Sequence, residues 1–420
     1  LTPTEWLALG QIGFGSLAII PFLVQDWLNR RWISKFPFPT FPSTNNSDLP
    51  KMTVIICVRD EEMVIGGKLA DLATNKYPQG RLEVLVIDTG SSDRTMQVVE
   101  EWISTSPEFG PLVRLLSTTS VAGKSAAVNL GLAESHLESE IILLTDADSR
   151  LSEGALERIG RWFLNPDIGA VCGRQQPIGY DGKQQLDSGA YRTYYNRARE
   201  AESRLDSTPI FEGSLAAYRR SAINAGVVAD SNADDSQLAL EARKQGLRAI
   251  HDPELHFFEA VPVTPTAIHT QRVRRAQGLV RHLWRNSNMM FSKKIGTPMR
   301  MTLRSLFYIH VKMPFFVMVS LTCGLALLSA FLWAAPMPFF SLPFWLALLN
   351  GGALLFLTVG CFSAGTASKQ WWFTTAPFSF IHAMFVLVWV HLRIALGIKS
   401  HIWKPIQEIR EAINRYDEMK

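Results

Sequence analysis

Two aspartates one residue apart close the run IILLTDADSR (Ile141–Arg150). Four apolar residues before a polar turn predict a buried strand that delivers its end to a surface. Side chains two apart on a strand share a face, so Asp146 and Asp148 are like charges held close, which need a cation or must give up a proton. A solvated strand-end turn carries the same pattern, and the rest of the chain has to decide between the two. Lys124, in AGKS (Ala122–Ser125), offers a point charge for a diphosphate or is a solvated lysine ahead of a helix; the position five before Gly123 is Thr118, so the phosphate-loop pattern is broken. Asp234 and Asp235 open the amphipathic stretch NADDSQLALEARKQG, where acidic residues complement a helix dipole and one of them can also serve as a base. Farther on, Gln271, Arg272, Arg274, Arg275, Arg281 and Arg285 alternate with apolar residues, a pattern that suits an anionic membrane surface as well as a phosphate. His256 and Glu259 in HFFE have the spacing of two metal ligands on a helix but no third ligand nearby, which favours a packed histidine. Together these groups describe a site for a nucleotide-sugar: a divalent cation on two aspartates, basic side chains for a diphosphate leaving group, and Asp235 to deprotonate an attacking hydroxyl.

The elements that must hold these residues are legible as an alternation. MTVIICVRDEE, LEVLVIDTGSSD, LVRLLS and IILLTDAD read as strands, with TMQVVEEWI and SAAVNLGLAES as helices between them. That spacing predicts a mostly parallel, doubly wound sheet, in which ligands bind at the carboxyl ends of the strands. The turns after VIIC, LVI and IILL all fall on that edge.

The 420 residues are enough for such a domain and more, and 47% hydrophobic content is ordinary but unevenly spread. A net charge of +4 does not suggest a nucleic-acid partner. Cys57, Cys172, Cys323 and Cys361 form no CxxC pair, which argues against a disulfide framework or zinc site and fits a reducing compartment. Trp6–Val24 is uncharged and about as long as a bilayer span, and Arg30, Arg31 and Lys35 follow it, so the following segment is expected in the cytoplasm. With no basic region before it and no small-residue cleavage site, an anchor is expected rather than a cleaved signal. Three further apolar runs, Pro314–Trp333, Phe344–Phe362 and Pro377–Leu396, predict additional spans. If all three cross, the tail with Lys399, Lys404, Arg410, Arg415 and Lys420 lies outside; otherwise one run does not cross. The resulting division is a membrane anchor over 1–34, a Pro/Ser/Asn linker over 35–50, a cytoplasmic catalytic domain over 51–262, amphipathic interfacial helices over 263–310, a transmembrane region over 311–398 and a charged tail over 399–420.

In order along the chain, VRDEE, VIDTGSSDRT, GKSAAVNLGL, DAD, FEGSLAAYRRSA, ADDSQLAL and a Gln-x-x-Arg element resemble the membrane-embedded family 2 glycosyltransferases, ceramide glucosyltransferase-like and polysaccharide synthase-like enzymes among them. The resemblance implies an α/β GT-A domain flanked by N- and C-terminal transmembrane helices, in a multi-pass membrane enzyme. It implies that Arg59, Glu61 and Asp88 hold the nucleotide, that Asp146 and Asp148 form the DxD pair for Mn²⁺ or Mg²⁺ with Asp148 the stronger ligand, and that Lys124 serves the diphosphate. Asp235 matches the base, with Asp234 before it, and Gln271 and Arg274 match the element near the diphosphate and acceptor. Two positions depart from the family pattern: Thr89 stands where a second aspartate is common, and Arg275 stands where processive synthases carry tryptophan. The second departure favours a single inverting transfer, from a UDP-sugar by resemblance, onto a lipid acceptor. A processive polysaccharide synthase and a non-catalytic nucleotide-sugar-binding membrane protein are the alternatives. Nothing in the sequence bears on oligomeric state.

Overall fold

The computed structural model describes all residues except 44–47, 119–122, 186–189, 229–232, 334–336, 367–371 and 399–405, and the side chains of 190–191, 359–366 and 372–378. Lys399, Lys404 and the first residue of AGKS therefore lie outside the described residues. The chain opens with helix α1 (Pro3–Lys35) and then alternates through β1 (Met52–Val58), α2 (Ile65–Thr74), β2 (Leu82–Asp88), α3 (Thr95–Thr105), β3 (Val113–Ser117), α4 (Lys124–Glu134) and β4 (Ile141–Thr145). There follow β5 (Ser149–Leu151), α5 (Ala155–Trp162), β6 (Ile168–Ile178), α6 (Ala190–Leu205), β7 (Leu215–Arg219), α7 (Asp234–Lys244) and β8 (Arg248–Ala260). Helices α8 (Pro265–Arg285), α9 (Gly296–Phe307), α10 (Met313–Trp333), α11 (Leu342–Thr366), α12 (Trp372–Ala395) and α13 (Gln407–Met419) complete it.

Two compact units result. One contains Trp32–Asp187, Asn196–Leu303 and Ser400–Lys420, and is built on an eight-stranded sheet of order β3-β2-β1-β4-β7-β6-β8-β5. The β3-β2-β1-β4 half is parallel throughout, as the strand–helix alternation predicts. The other half is mixed: β7 runs antiparallel to β4 and β6, β8 parallel to β6, and β5 antiparallel to β8. Alternation along β1 explains the two layers of core. Val54, Ile56 and Val58 pack with Leu69, Val84 and Ile413 on one face, while Ile55 and Cys57 pack with Val128, Ile142 and Tyr218 on the other. Each such side chain contributes on the order of 1.5–3 kcal/mol of burial. Helix α13 is part of the first face: Ile409, Ala412 and Ile413 are buried there, and Tyr416 stacks on Phe258 of β8.

The second unit gathers Leu1–Arg31, Ser188–Tyr195 and Arg304–Lys399. Inside it Gln11 Nε2 donates to Asn350 Oδ1 at 2.7 Å, Asn350 Nδ2 donates to the Gly324 carbonyl at 3.2 Å, and Ser320 Oγ donates to the Gln11 carbonyl at 3.0 Å. Polar side chains on apolar helices satisfy one another in this way where water is absent. Among the described residues, two helical stretches, Pro3–Lys35 and Lys293–Trp333, are long and apolar enough to cross a membrane; the apolar helices Leu342–Thr358 and Ser379–Ala395 are shorter.

Candidate active site

The predicted edge of the sheet is where the polar residues collect. At the ends of the paired strands β1 and β2, Thr89 N donates to the Val58 carbonyl at 3.0 Å, which sets the two turns side by side. Asp88 is 1% exposed and its carboxylate accepts from Gly90 N at 3.0 Å, from Ser91 N and from Ser91 Oγ, so it holds its own turn closed. Asp60 has a left-handed φ of 53° and accepts from Ser92 N at 2.7 Å, bracing the same two turns. Arg59 stands beside it, 3.9 Å from Asp60 and partly exposed. Glu61 is fully buried, and its carboxylate is gripped by both prongs of Arg410 from α13, with Nε–Oε2 at 3.0 Å. Burial pushes the Glu61 carboxyl up, and the guanidinium works against that shift.

The aspartate pair sits in the β4–β5 turn. Lys68 of α2, itself fully buried, supports that turn from behind by donating to Thr145 Oγ1 at 2.8 Å and to the Ser149 carbonyl at 3.1 Å; burial lowers its ammonium to about 8. Lys124 begins α4 just after Gly123, and its Nζ lies 2.7 Å from Asp146 Oδ1 and 3.8 Å from Asp234 Oδ2. The other Asp146 oxygen accepts from Ser214 Oγ at 3.0 Å. Burial opposes ionisation of Asp146, but Lys124 and Ser214 outweigh it and hold the group at about 2. Asp148 is 9% exposed, with Oδ2 facing Arg410 Nη1 at 3.3 Å.

Lys124 thus joins the strand-end pair to the first turn of α7. Asp235 lies beside Gly213, where a Cβ would come within 3.1 Å of its Oδ2, while its Oδ1 accepts from Ser236 N at 2.6 Å. One oxygen is thus spent on an amide of the first turn of α7, whose N-cap is Ala233, and the other is kept toward the FEGS turn. Burial, with the Asp234 carboxylate next to it, pushes Asp235 up to about 7. From α8, Arg274 acts electrostatically on Asp146 and Asp148, and Arg275 Nη2 donates to Glu259 Oε1 at 3.0 Å. Gln271 lies one turn earlier on the same helix, half-buried. The structure accordingly brings together Lys124, Asp146, Asp148, Asp234, Asp235, Arg274 and Arg275, and places Asp88 and Glu61 in turn-holding and helix-holding contacts.

The contacts of three residues escaped the sequence reading. Ser214, in the quoted FEGS turn, bridges Asp146 and Glu259, the latter at 3.4 Å. Glu259 is on strand β8, so the helical spacing with His256 has no meaning there: the His256 ring meets the Pro253 carbonyl at 2.9 Å, while Glu259 turns to Ser214 and Arg275. Burial raises Glu259 to about 7 against the pull of Arg275. Arg410 lies 349 positions from Glu61, beyond any local signal.

A model of the Glycosyl transferase family 2 domain matches residues 53–226, and one of the Glycosyl transferase family group 2 matches residues 141–391, more than half the chain. The chain belongs to the family 2 glycosyltransferases. This glycosyltransferase is 28% identical over 242 residues, 56% of each chain, to the Probable glycosyltransferase YdaM of Bacillus subtilis. It is 30% identical over 122 residues to the Beta-monoglucosyldiacylglycerol synthase of Synechocystis, covering 29% of this chain and 25% of that one. A poly-beta-1,6-N-acetyl-D-glucosamine synthase of Staphylococcus aureus is 23% identical over 243 residues, again 56% of each chain. The chain spans about half the length, or less, of these curated relatives. Among solved structures, the mannosyltransferase PcManGT of Pyrobaculum calidifontis, in complex with GDP-Man and Mn²⁺, superposes with a TM-score of 0.74 at 27% identity over 93% of this chain and 99% of that one. The GT-A fold of the glycosyltransferase is thereby established.

Proposed function

We propose that this glycosyltransferase moves a sugar from a nucleoside diphosphate sugar to the hydroxyl of a membrane lipid, with inversion, and that Asp235 is the base. The observation that carries this reading is the chain of contacts from Asp146 through Lys124 to Asp234, which sets a cation-holding carboxylate pair next to a carboxyl poised at about 7. A base of that kind is half ionised near neutral pH and strong enough to take a hydroxyl proton as the bond to C1 forms. Arg274 and Lys124 lie where negative charge on a departing diphosphate is offset. The similarity to a solved mannosyltransferase holding GDP-Man and Mn²⁺ supports a nucleotide-sugar donor. That to a glucosyldiacylglycerol synthase supports a lipid acceptor.

The residues present fit a hard divalent cation. Asp148 has one carboxylate oxygen facing Arg410 and, among the described residues, no partner on the other. No three His, Cys, Asp or Glu side chains among the described residues form a cage of their own. Magnesium-like ions suit such a site, since they take one or two carboxylates and complete their shell with phosphate oxygens and water. Asp148, with Asp146, would hold Mn²⁺ or Mg²⁺, which supplies charge to neutralise the diphosphate. Arg275 replaces the aromatic face of processive synthases with a guanidinium fixed to Glu259, which supports a single transfer. The likeness to a polymer-forming synthase keeps chain elongation as the second reading.

The test supplies membranes containing the protein with a panel of radiolabelled UDP- and GDP-sugars and Mn²⁺ or Mg²⁺. Label that enters organic solvent, and fails to do so with Asp235→Asn, is the expected result. Label retained in a high-mass aqueous product establishes the second reading, and no transfer from any donor refutes both.

A further inference from the structure

Each aspartate of the pair already carries a protein cation. Asp146 has Lys124 at 2.7 Å, and Asp148 has Arg410 at 3.3 Å. The second contact is the less expected, because Arg410 comes from the C-terminal helix and is 3% exposed. Its position is not a matter of chance orientation: Nε and Nη2 are spent on the buried Glu61 carboxylate, and the planar fork then aims Nη1 at Asp148. Helix α13 is anchored independently. Asp417 accepts from Arg150 Nε at 2.9 Å, and Arg150 is itself 1% exposed; Tyr416 stacks on Phe258.

We infer that Arg410 is a positioning residue of the donor site: its guanidinium pairs with the Asp148 carboxylate, so that a divalent cation binds well only when a nucleoside diphosphate brings its own negative charge. The inference rests on the reading of Asp146 and Asp148 as the cation-holding pair. A dication approaching the open oxygen of Asp148 is repelled by the guanidinium a few ångströms away. The added charge of a diphosphate reverses that balance, so cation and donor enter together. The C-terminal helix then acts on donor binding although Arg410 lies more than 130 residues along the chain from every other member of the site.

The experiment measures Mn²⁺ binding to the full-length protein in detergent by the loss of the free-ion paramagnetic resonance signal, with the metal alone and with UDP or GDP added. Glu61→Gln/Arg410→Met removes the guanidinium from Asp148 without leaving the buried Glu61 carboxylate unpaired. It is expected to bind Mn²⁺ alone at least about tenfold more tightly than the natural chain and to gain less from UDP or GDP. Glu61→Gln alone keeps the guanidinium on Asp148 and is expected to bind Mn²⁺ no more tightly than the natural chain. Tyr416→Ala/Asp417→Asn loosens α13 without touching Asp148 and is expected to shift metal-only binding the same way as the double variant, in smaller measure. Unchanged or weaker Mn²⁺ binding in both paired variants overturns the inference. Asp148→Asn is the control for the reading beneath it: Mn²⁺ binding that survives this change refutes the cation-holding pair itself, and the inference with it.

Discussion

The state of Asp235 makes a quantitative prediction. Its carboxyl is pushed up to about 7, first by burial and then by the like charge of Asp234. With Asp235 as the proposed base, its protonated carboxyl cannot accept the proton of the attacking hydroxyl, so activity should be lost as pH falls through that value and be fully present above it. In kcat/KM, which reports the free enzyme, the rate at pH 6 should be about a tenth of the plateau, near pH 7 about half, and by pH 8 about nine-tenths. Asp234→Asn removes the second cause and should move the midpoint to lower pH while leaving the plateau limb in place. Asp235→Asn should remove the limb and lower the plateau by about 10²–10⁴-fold, the range of general-base assistance. Initial rates with the donor found in the sugar panel, taken at fixed Mn²⁺, give all three curves. If Asp235→Asn keeps an acid limb with the same midpoint, the titrating group is a different one, and the reasoning from burial and Asp234 is refuted.

Other perturbations act on separate links. Lys124→Met strips Asp146 of the charge that holds it at about 2, so nucleotide binding should weaken by an order of magnitude or more, visible as a raised KM for the donor and a weaker nucleotide titration. Asp148→Asn should abolish the Mn²⁺ dependence of nucleotide binding measured by the same titration; a dependence that persists unchanged contradicts the assigned ligand. Gly131→Ala would set a Cβ 2.7 Å from Ile55 Cγ2 between α4 and β1, and should cost about 1–3 kcal/mol in a thermal melt with little effect on rate at low temperature. Gly67→Ala intrudes on Asp417 and on Arg150 Nη2, so α13 should become more open to limited proteolysis while the sheet keeps its resistance.

The parallel half of the sheet was legible because each strand is a short apolar run closed by a polar turn. MTVIICV, LEVLVID and IILLT are strands at the positions read for them. HFFE shows the limit of that method. A short aromatic run has no period of its own, and His256 and Glu259 fit a helix on paper but lie on β8, where three positions apart means opposite faces. The acidic pair of α7 was visible from its place at a helix start, but its meeting with Asp146 depends on Lys124 reaching two carboxylates from two different elements. Asp88 was read as a nucleotide contact from its place at a strand end; what the sequence did not show is that its carboxylate accepts from amides two and three residues on, which accounts for its burial. Arg410 was seen only as one charge of a tail. No periodicity links it to Glu61, because the contact exists only after the sheet and α13 have both formed.

The seating of α13 also makes that helix part of the core of the sheet unit. Glu61, Arg150 and Phe258 each have their partner on it, in Arg410, Asp417 and Tyr416. Loss of α13 would leave the buried Glu61 and Arg150 without their ion-pair partners and uncover the face on which Ile409, Ala412 and Ile413 pack, so damage to this helix acts on the sheet as a core mutation does.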